Sequence, residues 1–200
     1  MPTFAPADLP PRDAYRLMTS ILIPRPIAWV STRGADGSCN LAPYSFFNGI
    51  GGVPPTIMVS MSQRQGKPKD SLRNIIDTGE FIVNIVSVEL AREMNLTAGE
   101  YDYGVDEFAL AGLETAPGID VQAPRVTRAP AAMEVKATQI TQVDGTAYTV
   151  VFGRVVRFHL REGLLRPDGL VDARLLDPLA RLGGDEYAHL ADIFDMKRPA

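Results

Sequence analysis

Short runs of β-branched and apolar residues, punctuated by glycine and proline, dominate the hydrophobic pattern of the chain. They predict strands at 27–31, 56–60, 80–86, 132–143 and 147–160. The turn signal Ala35-Asp36-Gly37 predicts that 40–44 returns antiparallel on 27–31, and Asp144-Gly145-Thr146 joins the last two strands as a hairpin. Helical spacing is confined to short stretches. One is 13–18 with Asp13 as its cap. Another starts at Asp70, with Asp70 as N-cap and Leu72, Ile75 and Ile76 as its apolar stripe, and ends at Gly79. Others are 88–95 and a brief segment opened by Asp177-Pro178. The glycine-rich run 48–55 reads as a flexible loop. It is no dinucleotide fingerprint, because Pro54-Pro55 forbids the helix start that motif requires. Mostly antiparallel strands with helical excursions predict a mainly β fold, a small closed or split antiparallel barrel of Greek-key type.

Composition narrows the classes. The 200 residues suit one domain, with residues 1–12, which hold four of the prolines, as an arm over it. Net charge is -4 and no basic stripe is present, so nucleic acid is not an expected partner. The N-terminus has no cleavable signal pattern and no run is long enough for a membrane helix, so a cytoplasmic location without membrane attachment is expected. Cys39 has no second cysteine to pair with and reads as a small buried side chain or a reactive thiol. Two histidines and one cysteine do not make a metal cluster.

Two stretches carry candidate chemistry. In 39–48, the polar side chains of Asn40, Tyr44 and Ser45 alternate with Pro43 and the aromatics Phe46 and Phe47. Pro43 cannot donate to a ladder, which puts the stretch at a sheet edge or in a loop. Such a segment suits a flat heteroaromatic ligand; it also suits an ordinary strand edge with core aromatics. At 67–71, Lys67, Lys69 and Ser71 gather where a helix begins. That arrangement fits a phosphate, or a capped surface helix with solvated lysines. Asp70 would repel a phosphate and reads as a cap. The long acidic connection 97–112 carries Tyr101, Tyr103 and Phe108 and reads as a lid, a dimer arm or local packing.

Pro24-Arg25-Pro26-Ile27-Ala28-Trp29-Val30-Ser31-Thr32, then Asp36-Gly37, then Asn40-Leu41-Ala42-Pro43-Tyr44-Ser45-Phe46-Phe47 resembles the flavin reductase-like family of FMN-binding split barrels. That family includes flavoredoxins and the reductase components of two-component monooxygenases. Further similarity lies in Lys69-Asp70-Ser71-Leu72-Arg73-Asn74-Ile75, Glu80-Phe81-Ile82-Val83-Asn84 and Arg181-Leu182-Gly183-Gly184-Asp185-Glu186-Tyr187-Ala188, so the resemblance spans about 15–198. It implies a flavin reductase-like domain over 13–200. It implies FMN as cofactor, with FAD as a possible substrate, NADH or NADPH as hydride donor, a homodimer, and an electron acceptor such as a monooxygenase. An FMN electron carrier without NAD(P)H activity is the alternative.

The residues implied at the flavin are Asn40, Leu41, Ala42, Pro43, Tyr44, Ser45 and Phe46 on ring and ribityl chain, bordered by Ser60, Met61 and Ser62. Lys67 and Ser71, with Arg25, are implied at the phosphate, and His159 and Tyr187 on the nicotinamide side. No catalytic nucleophile is required. Ser71 stands where the family pattern has threonine, which keeps the hydroxyl. Phe46-Phe47 replaces a tryptophan-containing variant of some flavoredoxin-like members and leaves the subgroup open.

Overall fold

A computed structural model describes residues 1–64 and 66–199. Gln65, within the polar link before the second helix, and Ala200, the last position of the expected domain, lie outside the described residues. Among the described residues, seven strands make the main sheet: β1 (Ala28–Arg33), β2 (Cys39–Tyr44), β3 (Phe47–Gly52), β4 (Pro55–Arg64), β5 (Glu80–Ile85), β6 (Ala131–Gln142) and β7 (Tyr148–Leu160). Their order is β2-β1-β5-β6-β7-β4-β3, every pairing antiparallel, with Lys67–Pro68 adding a short pair on β4.

The two edge strands of this order, β2 and β3, are neighbours in the chain. Only Ser45 and Phe46 separate them, so the sheet must curl until its edges nearly meet. Beside that join the Ser60 N–H donates to Phe46 O at 2.8 Å, extending the β3–β4 ladder. The result is a split barrel whose sheet is not closed into a full ring of ladders.

Period-two alternation sorts the side chains. On β1, Ala28 and Val30 face the barrel core with Val59, Met61, Phe81, Val83, Val135 and Val151. Trp29 points the other way, into a second cluster with Leu41, Leu90, Met94 and Phe108. Burial on both faces explains why 27–31 and 80–86 read as continuous apolar runs. The polar groups trapped there are satisfied. Trp29 Nε1 donates to Thr97 Oγ1 at 2.8 Å, and Asn84 donates to Trp29 O at 3.0 Å and accepts from Val126 N at 2.9 Å.

Among the described residues, five α-helices decorate the barrel: α1 (Pro11–Ile21), α2 (Asp70–Thr78), α3 (Ala91–Leu96), α4 (Glu107–Leu110) and α5 (Ala173–Leu176). Several expectations need correction. The glycine-rich 48–52 is a strand, not a flexible loop, because it takes ladder bonds from β4 around a bulge at Gly49/Gly51. α1 begins at Pro11 and carries Asp13 in its first turn, so Asp13 is not its cap. Asp70 is likewise the first helical residue of α2, after Lys69, and makes no capping bond. Ile76 is exposed while Leu72 and Ile75 are buried. Asp177 ends α5 in a left-handed conformation and does not open a helix. Gly79 does end α2, at φ 72°, with its N–H on Ile75 O. Among the described residues no helix is long and apolar enough to cross a membrane.

Candidate active site along the edge strand

Pro43 sits on edge strand β2, where its missing N–H costs no ladder bond. β2 forms the floor of a cleft with two ends. Pro43, Tyr44 and Ala98 line both, so the two ends adjoin. The larger end, about 410 Å³, is walled by Asn40 and Ala42 of β2, by Arg64, Lys67, Lys69, Asp70 and Ser71, and by the 97–103 loop and Glu107. The smaller end, about 250 Å³, lies between α1 (Tyr15, Arg16, Thr19), Arg25, Ser45 and the C-terminal segment (Arg181, Gly184, Tyr187).

At the larger end, Asn40 Nδ2 donates to Ser71 Oγ at 2.8 Å, and both side chains are buried. The Tyr44 hydroxyl lies beside Ser71, buried and without a well-directed hydrogen-bond partner among the described residues. Burial pushes it up to about 12, so it stays a neutral donor. Lys67 is exposed and Lys69 half-buried, and neither is held in an ion pair among the described residues. Arg64 donates to Tyr101 O at 2.7 Å, and the Arg73 guanidinium lies 4.2 Å from the Tyr103 ring centre. The Tyr103 hydroxyl donates to Asp36 at 3.1 Å. These bonds fasten the 97–103 loop over the larger end.

Glu107 is 5% exposed, and its Oε2 accepts the Leu41 N–H at 2.9 Å, a donor that an edge strand would otherwise leave unpaired. Burial pushes its carboxyl up to about 7, against the opposing bond from Leu41, and Asp70 and Asp106 push the same way. Burial also raises Asp70, with Arg73 and Arg64 opposing.

At the smaller end, Arg25 is buried and donates to Thr19 O, Leu22 O and Leu182 O, with Ser45 Oγ at 3.5 Å. It ties the end of α1 and the C-terminal segment to the barrel. It therefore lies at the opposite end from Lys67 and Ser71, not with them at a common phosphate position. Arg181 stacks on Tyr187 at 4.5 Å and donates to its hydroxyl and to Gly184 O. Gly183 passes so close to α1 that a Cβ would meet Ser20 Oγ at 2.6 Å, so the close approach serves α1.

Of the residues singled out from sequence, the cleft brings together Asn40, Ala42, Pro43, Tyr44, Lys67 and Ser71, with Ser45, Arg25 and Tyr187 at its other end. It does not collect the rest. Leu41 turns into the outer core and presents only its N–H. Phe46 packs between Tyr15 (6.4 Å) and Tyr148 (5.8 Å) at the barrel join. Met61 is fully buried in the barrel core, while Ser60 and Ser62 sit on β4 opposite Val150 and Tyr148. His159 bonds Glu134 at 2.6 Å and lines a separate hollow with Arg125 and Arg161. Sequence reading missed Arg64, Glu107, Tyr15, Thr19 and Arg181. Tyr15, Thr19 and Glu107 reach the cleft from elements distant in the chain, whereas Arg64 lies three positions before Lys67 and Arg181 stands in the same run as Tyr187.

A family model described as flavin reductase like domain matches residues 18–178, and the chain belongs to that family. An uncharacterized protein of Deinococcus radiodurans is 41% identical over 198 residues, covering 95% of this chain and 86% of the relative. Among solved structures, nitrilotriacetate monooxygenase component B from Bacillus cereus is 35% identical at TM-score 0.93, with 98% of both chains covered. The 2-nitrobenzoate 2-nitroreductase NbaA of Pseudomonas fluorescens is 33% identical at TM-score 0.90, with 99% of this chain and 96% of that one covered.

Proposed function

We propose that this chain is an NAD(P)H:flavin oxidoreductase that holds FMN along β2 and passes its electrons to a partner protein or a diffusible acceptor. The observation that carries this reading is the pair of adjoining hollows along β2, in which Lys67, Lys69 and a hydroxyl–amide pair line one end and the Pro43–Ser45 edge segment lines the other. The residues fit the cofactor. Lys67, Lys69 and the Ser71 hydroxyl offer charge and donors for a phosphate, and the orphaned Tyr44 hydroxyl offers one more. Bound flavin supplies the two-electron chemistry itself and needs no protein nucleophile.

The chain's own residues bind and position. Asn40 holds the Ser71 hydroxyl by donating to it, which leaves the Ser71 proton free to point at an anion. Pro43, Tyr44 and Ser45 present a flat floor, and Arg25 locks the wall beside it. Tyr187, fixed by Arg181, forms the far wall where a nicotinamide would enter. His159, engaged by Glu134, is assigned no part in hydride transfer.

A homodimer in the cytoplasm belongs to the same proposal. The exposed apolar side chains Leu17, Met18, Ile21 and Leu22 on and beside α1 support a second copy covering that face. Anaerobic titration of the FMN-loaded protein with NADH and then NADPH tests the reading. Bleaching of the flavin absorbance at catalytic rate is expected with one of them. Bleaching by dithionite alone would replace the reductase with an electron carrier.

A further inference from the structure

Glu107 stands out among the groups lining the larger end of the cleft. It is a buried carboxyl in a place that is otherwise built for an anion. Its Oε2 is taken by the Leu41 N–H. The acids around it, Asp70 of α2 and Asp106 beside it, disfavour its ionised form. Cations are present on the same walls but are committed elsewhere or stand apart. Arg64 is held by Tyr101 O and Glu100, and Arg73 lies on the Tyr103 ring. Lys67 and Lys69 line the cleft without pairing with Glu107, and Tyr44, from the β2 side, is neutral. Burial adds to this by raising the carboxyl to about 7. A dianion placed in this end meets a carboxyl that is half ionised near neutrality and has no cation of its own.

We propose that the cleft takes up a proton at Glu107 as it takes the phosphate of FMN, so that flavin affinity is highest where Glu107 is protonated and falls in alkaline solution. The inference rests on the FMN reading and adds to it a proton that the reading does not need. The sign follows from linkage. A nearby dianion raises the Glu107 pKa further in the complex. Below the free value the carboxyl is protonated in both states and affinity is full. Above the bound value it is ionised in both, and affinity is lower and again flat. Between them one proton enters with the ligand.

Calorimetric titration of FMN at pH 7.5, in buffers of different ionisation enthalpy, reads the proton directly. At that pH the FMN phosphate is already a dianion, since its second pKa is about 6. A substantial fraction of one proton taken up per FMN is expected for the native chain, with none for riboflavin, which lacks the phosphate, and none for Glu107→Gln. The FMN Kd of the native chain is expected to rise about sixfold between roughly pH 6.5 and 8.5, with Glu107→Gln flat, as a pKa displaced by about one unit requires. Equal proton uptake for FMN and riboflavin in the native chain would overturn the inference even if the variant failed to fold. FMN binding without proton uptake would overturn it and leave the flavin reading standing. Absence of FMN binding would remove both.

Discussion

Ser71 is a small residue at the larger end of the cleft, yet two polar groups gather on it. Asn40 donates to its oxygen, and the Tyr44 hydroxyl lies beside it. Removing the hydroxyl leaves the buried Asn40 amide without its acceptor and, on the proposed FMN reading, deletes one donor to the phosphate. Ser71→Ala is expected to weaken FMN binding about tenfold, or about 1.4 kcal/mol, with riboflavin affinity little changed; flavin fluorescence quenching measures both. Glu107 also affects folding. Its folded pKa of about 7 lies above its ordinary 4.5, so its contribution is fully present below about pH 4.5 and is lost as pH rises toward 7. Glu107→Gln keeps the acceptor for Leu41 N–H and cannot ionise. Urea unfolding at pH 5 and pH 7.5 is expected to show the native chain losing about 1–2 kcal/mol relative to the variant, allowing for solvent screening.

At the scale of elements, the barrel is decided where strands approach most closely. Gly153 on β7 faces Val135 on β6, and a Cβ there would fall 2.3 Å from Val135 Cγ1 and 3.3 Å from the Phe81 ring. Val135 and Phe81 are fully buried and have no room to yield. Gly153→Ala is expected to destabilise the fold by about 1–3 kcal/mol, read as a lower urea midpoint with an unchanged slope. The same scale shows how local signals were legible and where they failed. The Gly79 helix stop and the return of β2 on β1 depend on neighbours in sequence, and both were readable. The strand at 47–52 was not. Its glycines give no side-chain signal, and only the ladder from β4 orders it. Asp70 has the residue type of a cap, but the backbone places Lys69 at that position.

The whole molecule leaves apolar side chains uncovered on one face, among them Leu17, Ile21 and Leu22 around α1. A dimer is the state that would cover such a face, and sedimentation equilibrium is expected to return twice the 21.7 kDa chain mass. Charged replacement of Ile21, an exposed side chain outside the cleft, is expected to shift that mass toward the monomer if α1 lies in the interface. The two hollows along β2 bring together side chains from α1, β2, α2, α4 and the C-terminal segment, and the proposed flavin would span them.

The amino-acid sequence by itself determined the mainly antiparallel β character, the return of 40–44 on the preceding strand and the helix stop at Gly79. All of these rest on residue types within a few positions of one another. Tertiary structure alone decided that the two sheet edges meet at Ser45–Phe46, which sent Phe46 and Met61 into packing. It set Arg25 at the opposite end from Lys67 and Ser71, left His159 on Glu134 outside the cleft, and brought Glu107 from 66 positions away onto the Leu41 N–H. Such placements depend on where the curled sheet delivers distant segments, and no local pattern encodes that.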